Sequence, residues 1–214
     1  MITSKRSNRL LWAALAIALL GIGIYALNDW LHSQELKTPT RELPSYGAIP
    51  PFVLTTQDNT AFGLEQLKGK IWVADLIFTN CAGTCPILST RMAAIQESLT
   101  KTGTAVQLVS ISVDPNNDTP EVLKEYAKHY HADPKRWTFL TGKVATIYTI
   151  AKNGFHLTLD SAHADIHEPI THSERLVLID KAGNIRGYYN GTEEDSQSKL
   201  LIDIGDLIRG EKAQ

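Results

Sequence analysis

"IWVADLIFTNCAGTCPILSTRMAAIQESL", Ile71 to Leu99, decides how the chain is read. Its first eight residues, Ile71–Phe78, are apolar apart from Asp75, as expected of a strand buried on both faces. From Cys85 onward the apolar residues recur at helical spacing. At the junction stand Cys81 and Cys85, the only two cysteines of the chain, with three residues between them. The carboxyl end of a sheet strand is where α/β folds place their sites. The free N–H groups of a helix N-terminus favour thiolate over thiol, so the position predicts cysteines activated as nucleophiles or as metal ligands.

Outward from this stretch the pattern repeats. "PFVLTTQDNTAFGLEQLKGK" predicts two short strand-like segments around a turn at Asp58-Asn59. "AVQLVSISV" (Ala105–Val113) is a second buried strand, and "DTPEVLKEYAKHYH" opens with a capping residue and a proline before an amphipathic helix. "WTFLTG" is a short strand, "KVATIYTIAKNGF" a helix, and "RLVLIDKAGNIRGYYNG" a hairpin turning at Ala182-Gly183-Asn184. "EEDSQSKLLIDIGDLIRG" closes the chain as a helix. Strands alternating with helices predict an α/β domain with a central mixed sheet flanked by helices, over residues 47–211.

The N-terminal end differs. Residues 1–9 carry Lys5, Arg6 and Arg9, and "LLWAALAIALLGIGIYAL" then runs without a charge from Leu10 to Leu27. That length is close to the ~20 residues a helix needs to cross a bilayer. The reading is a short cytoplasmic N-terminus (1–9), a transmembrane anchor (10–28) and a polar, proline-containing linker (29–46). Basic residues ahead of the span predict that the rest is exported. A cleaved signal peptide would have a shorter apolar region, and no A-x-A stands directly before Asn28, where the apolar run ends. In a bacterium either reading puts the domain on the periplasmic or outer face, where disulfides persist. A net charge of -2, with 43% hydrophobic and 21% charged residues, excludes a polybasic nucleic-acid binder and a disordered chain.

Three roles fit the cysteine pair. A structural disulfide would close a loop of only about five residues, and the stabilisation grows with loop length, so it would staple little. C-x-x-C is the thioredoxin-like redox spacing, whereas C-x-x-x-C puts the two sulfurs at i and i+4, on one face of a helical turn. Such a pair closes as a disulfide or opens around a soft metal, Cu(I) or Zn(II). Two ligands alone suit Cu(I) better than zinc, and a third would come from elsewhere in the sequence.

Three stretches resemble the Sco/SenC family, membrane-tethered copper proteins of thioredoxin-like fold that assist assembly of cytochrome c oxidase. "FTNCAGTCP" resembles its C-x-x-x-C-P site, and "SISVDPNNDTPEVLKEYA" its S-V-D-P segment with the helix that follows. "WTFLTG" and "HSERLVLIDKAGNIRGYYNG" resemble its late strands, with a histidine just ahead of the hairpin. The resemblance spans roughly residues 47–210 and the anchor. It implies a metal site of Cys81, Cys85 and, by motif position, His172, holding one copper ion as Cu(I) or Cu(II). Some members have Asp before this histidine, and here Thr171 stands there. Thioredoxin-like oxidoreductases usually set a cis-proline against their cysteines from about this place, and the nearest proline is Pro169.

The resemblance further implies a chaperone that delivers copper to the dinuclear centre of cytochrome c oxidase subunit II, or to another copper enzyme. An upstream copper donor and a thiol reductase are implied as partners. The same cysteines could instead reduce a client disulfide, Cys81 attacking and Cys85 resolving. A redox or copper sensor is a third reading.

Other residues carry weaker expectations. His156, His163 and His167 form a histidine-rich stretch, read as a surface loop ahead of an auxiliary metal site. Asp75, buried in a strand, needs a partner or a proton, and could accept protons from the thiols. Asp114 either shapes the site loop or forms the turn before Pro115, and Met92 belongs to the core.

Overall fold

The computed structural model describes residues 4–35, 41–157 and 174–212. Two compact units are present, Met1–Arg41 and Glu42–Lys212. The first is one helix, α1 (Ser4–Glu35). Within it Trp12–Trp30, 19 residues of mean hydropathy 1.5, is long and apolar enough to cross a membrane, with its side chains exposed. The helix continues well past residue 28 because no glycine or proline interrupts it between Ile24 and Leu36, with Pro39 the first breaker.

The second unit is built on a seven-stranded mixed sheet of order β2-β1-β5-β4-β3-β6-β7. Leu43 and Ile49 are already buried in it. Strands β1 (Val53–Thr56) and β2 (Ala61–Gly63) pair antiparallel around a turn in which Asn59 takes φ 57°, a left-handed conformation that asparagine tolerates. After a single helical turn, α2 (Leu64–Leu67), comes β3 (Ile71–Ile77), every residue of which is buried. Helix α3 (Thr84–Lys101) follows, then β4 (Val106–Ser112), parallel to β3 with Ile77 opposite Ser112. Helix α4 (Pro120–His129) starts on Thr119, whose hydroxyl caps the Val122 N–H, with Pro120 in the first turn. Strand β5 (Trp137–Thr141) continues the parallel set beside β4.

Helix α5 (Val144–Thr149) widens into a π-helical turn, Ile150–Gly154, which presses Phe155 into the core against Trp72. The hairpin of β6 (Arg175–Ile179) and β7 (Ile185–Asn190) adds to β3 in the antiparallel sense. Its turn is held by Asp180, which accepts from the backbone of Ala182 and Asn184 at 2.9 Å, while Gly183 supplies φ 85°. Helix α6 (Ser196–Lys212) closes the chain and contacts β7. Strands β3, β4 and β5 therefore point their carboxyl ends the same way, and the loops after β3 and β4 meet there.

Candidate metal centre

Cys81 lies in the loop after β3, three residues ahead of α3, and Cys85 is the second residue of that helix. The expected single helical face is thus corrected: the loop, not a helical turn, delivers the first sulfur. The reason is local. Gly83 caps the helix start, so regular helix begins only at Thr84. Both cysteines are free thiols. Cys85 is fully buried, and Cys81 keeps 8% of its surface, which makes Cys81 the member a partner meets first.

Electrostatics correct the expectation of activated thiols at Cys85. Burial pushes its thiol far above the ordinary range, a hydrogen bond from the Phe78 backbone opposes the rise, and the hydrogen-bonded Cys81 thiol and the Asp75 charge add to it. Loss of hydration outweighs the pull of the helix N-terminus here. Asp75 itself is pushed up to about 7, chiefly by burial. Among the described residues neither of its oxygens has a partner of good hydrogen-bond geometry. Ser110, its pairing residue on β4, accepts from the Trp137 indole at 2.9 Å and lowers the Asp75 pKa by less than burial raises it. Asp75 meets the sequence-based expectation of a buried acid that needs a proton.

Around the pair, Ser89 lies one turn beyond Cys85 and shares a 2.8 Å hydrogen bond with the Tyr126 phenol of α4. Burial raises the pKa of that phenol, and a small further rise comes from Cys85. Met92 is fully buried in the core, as expected. Asp114 forms the turn: its carbonyl accepts from Asn117 and Asp118, and its carboxylate from the Asn117 amide at 2.8 Å. Beside Cys85, an apolar groove of about 350 Å³ runs along α3 over Pro86, Ile87, Thr90, Arg91 and Ala94.

His172, His163 and His167 lie outside the described residues, as do Pro169 and Thr171. His156 is described, exposed, with φ 52°. Among the described residues no group of three or more His, Cys, Asp or Glu is placed to hold a metal. The donor set within them is two soft sulfurs. Sequence reasoning missed Asp118, which is fully buried beneath the loop that carries Cys81 and accepts from Thr79 and Ser112. In sequence, the "DTPE" that contains it signals only a helix start.

A mixed sheet with a dithiol at the carboxyl end of a parallel strand defines a thioredoxin-like protein. The chain belongs to the SCO1/SenC family, whose pattern matches residues 41–209. It is 32% identical over 172 residues to the SCO1 protein homolog of Bacillus subtilis, covering 80% of this chain and 86% of that one. A Stutzerimonas stutzeri relative, named as a candidate copper-binding protein, is 31% identical over 169 residues, 78% of this chain and 81% of its own. The solved structure of BsSco superposes with a TM-score of 0.70 at 30% identity, covering 79% and 98% of the two chains. BsSco is described as a member of the Sco family of cytochrome c oxidase assembly proteins that carries a disulfide switch.

Proposed function

We propose that this protein binds one copper ion as cargo on Cys81, Cys85 and His172 and passes it to a copper enzyme, the dinuclear site of cytochrome c oxidase subunit II. The observation that carries the reading is the pair of free, hydrogen-bonded thiols, both buried, with Cys81 keeping 8% of its surface and Cys85 none. Soft sulfur donors select Cu(I), and an added imidazole makes Cu(II) acceptable. The naming of the Stutzerimonas relative and the description of BsSco support copper and oxidase assembly as the class of task.

The chain's own residues then divide the work. Cys85, dry and held at the start of α3, is the fixed anchor. Its proton leaves when the metal arrives, which ties binding to pH. Cys81, in the loop, is the ligand that a client thiolate reaches first, so exchange proceeds one sulfur at a time. Trp12–Trp30 fits a membrane anchor. In our reading it lies in the cytoplasmic membrane, with the domain on the periplasmic or outer face beside the membrane-bound client.

The same adjacency supports a second use. Cys81 thiolate attacks a client disulfide and Cys85 displaces the client sulfur, leaving a Cys81–Cys85 disulfide and two reduced client thiols. Copper binding requires the reduced pair, so the two activities exclude each other at any instant.

The test is anaerobic titration of the full chain in detergent with Cu(I) against a competing chelator. Tight 1:1 binding, lost in Cys81→Ser and weakened in His172→Ala, is the expected result. Weak binding that ignores His172→Ala would overturn the metal reading and leave the reductase.

A further inference from the structure

The position of the Cys81 sulfur, the less deeply buried of the two, is fixed from outside its own loop. Asp118 has no solvent exposure and sits between the ends of β3 and β4. Its Oδ2 accepts from the Thr79 backbone at 3.1 Å and from the Ser112 hydroxyl at 2.5 Å. Its Oδ1 accepts from the Thr79 hydroxyl at 2.5 Å and, more loosely, from the same backbone N–H at 3.3 Å. Lengths near 2.5–2.7 Å are those of hydroxyls bonded to an ionised acceptor, roughly twice as strong as neutral pairs. Ser112 in turn accepts from Asp114 N–H at 3.0 Å, and Asp118 N–H is held by the Asp114 carbonyl at 2.9 Å. One carboxylate thus joins the loop that starts two residues before Cys81 to the turn of residues 114–118.

We propose that Asp118 is a positioning residue for the cysteine pair: by clamping Thr79 it sets where the Cys81 sulfur stands relative to Cys85, and so sets both metal affinity and the ease of closing the disulfide. The inference rests on the dithiol reading of the site. It does not require copper, because disulfide closure depends on the same sulfur placement. An asparagine is an unequal replacement: with its oxygen at the Oδ2 position, its amide N–H faces the Thr79 hydroxyl, which must turn from donor to acceptor, and the charge that strengthens both hydroxyl bonds is lost.

The experiment compares the full chain in detergent with Asp118→Asn, Thr79→Val and, as a control, Asp203→Asn. The control removes the charge from another buried carboxylate–hydroxyl bond, the 2.7 Å one that Asp203 of α6 accepts from Tyr189 of β7. Two readouts are taken: the dithiol–disulfide equilibrium constant against dithiothreitol, and Cu(I) affinity by chelator competition. Asp118→Asn is expected to shift both by about tenfold, the lower end of what loss of a group that orients a metal ligand costs, because Asp118 acts through Thr79 and not on the sulfur itself. Thr79→Val, which keeps the shape and removes one hydroxyl arm, moves both in the same direction by less, and it carries the test if Asp118→Asn fails to fold. Asp203→Asn leaves both in place even where it lowers thermal stability. Values within twofold of the parent in both site variants, or shifts that the control reproduces, would overturn the proposal. If the parent itself binds no copper, the metal reading falls, and the disulfide equilibrium still decides the role of Asp118.

Discussion

The phenol of Tyr126 and the hydroxyl of Ser89 lie 2.8 Å apart, joining α4 to α3 one turn beyond the buried Cys85. Ser89 is fully buried and Tyr126 half-buried, so removal of the phenol oxygen leaves the serine hydroxyl without its protein partner. Tyr126→Phe should therefore lower unfolding stability by about 1–3 kcal/mol, the cost of leaving a buried hydroxyl without its partner. Urea unfolding of the reduced chain measures this. A Ser89→Ala partner mutant in a double-mutant cycle separates the pair's own contribution from packing loss.

Asp75 makes the stability of the reduced protein depend on pH in a specific direction. Its folded-state pKa, about 7, stands above the ordinary 3.8 because burial penalises the charged form. The folded protein thus holds this proton more tightly than the unfolded chain. Its contribution is complete below pH about 4 and is lost as pH rises through about 7, at roughly 1.4 kcal/mol for each pH unit between those two limits. Thermal unfolding of the metal-free, reduced chain between pH 4 and 8 should fall more steeply for the parent than for Asp75→Asn. Parallel curves would show that Asp75 ionises normally.

Gly191 is closed to any side chain. A Cβ there would collide with Leu88 of α3 and approach the Glu174 carbonyl at 3.5 Å. Its own carbonyl accepts from the Arg91 guanidinium at 3.3 Å, so the loop after β7 is seated directly on the site helix. Gly191→Ala should cost about 1–3 kcal/mol of stability through overpacking. The same change should raise the reactivity of Cys85 toward a thiol reagent, since Leu88 lies one turn beyond it. An unchanged thermal midpoint with unchanged thiol reactivity would contradict the packing described.

Much of this was legible in the chain because each element carries its own local signal. The unbroken apolar run of β3, the proline and capping threonine of α4, and the glycine of the β6–β7 turn each announce themselves within a few residues. The two cysteines did so by type and spacing. What could not be read is set by contacts between distant residues. Asp118 meets Thr79 across 39 positions of sequence, and in the sequence it looks like the first letter of a helix start. The raised pKa of the Cys85 thiol depends on how completely α3 is packed down, which spacing does not encode. The break between Cys81 and the helix follows from the conformation at Gly83, and the π-helical turn after α5 has no distinct signature in "IAKNG".

Before it reaches β1, the chain lays Tyr46–Ile49 along the start of the hairpin's outer strand. Tyr46 donates to the Ile185 carbonyl and Ile185 to that of Gly47, at 2.9 and 2.8 Å, while Ile49 donates to Gly183 at 2.9 Å. The opposite border of the sheet, β2, is only three residues long. An open strand border is a template on which neighbouring molecules can polymerise. With the anchoring proposed above, copies on one lipid surface would meet border to border far more often than copies free in solution. Here one border is begun by the protein's own leader and the other is too short to seed a ladder, so crowding should leave the copies apart.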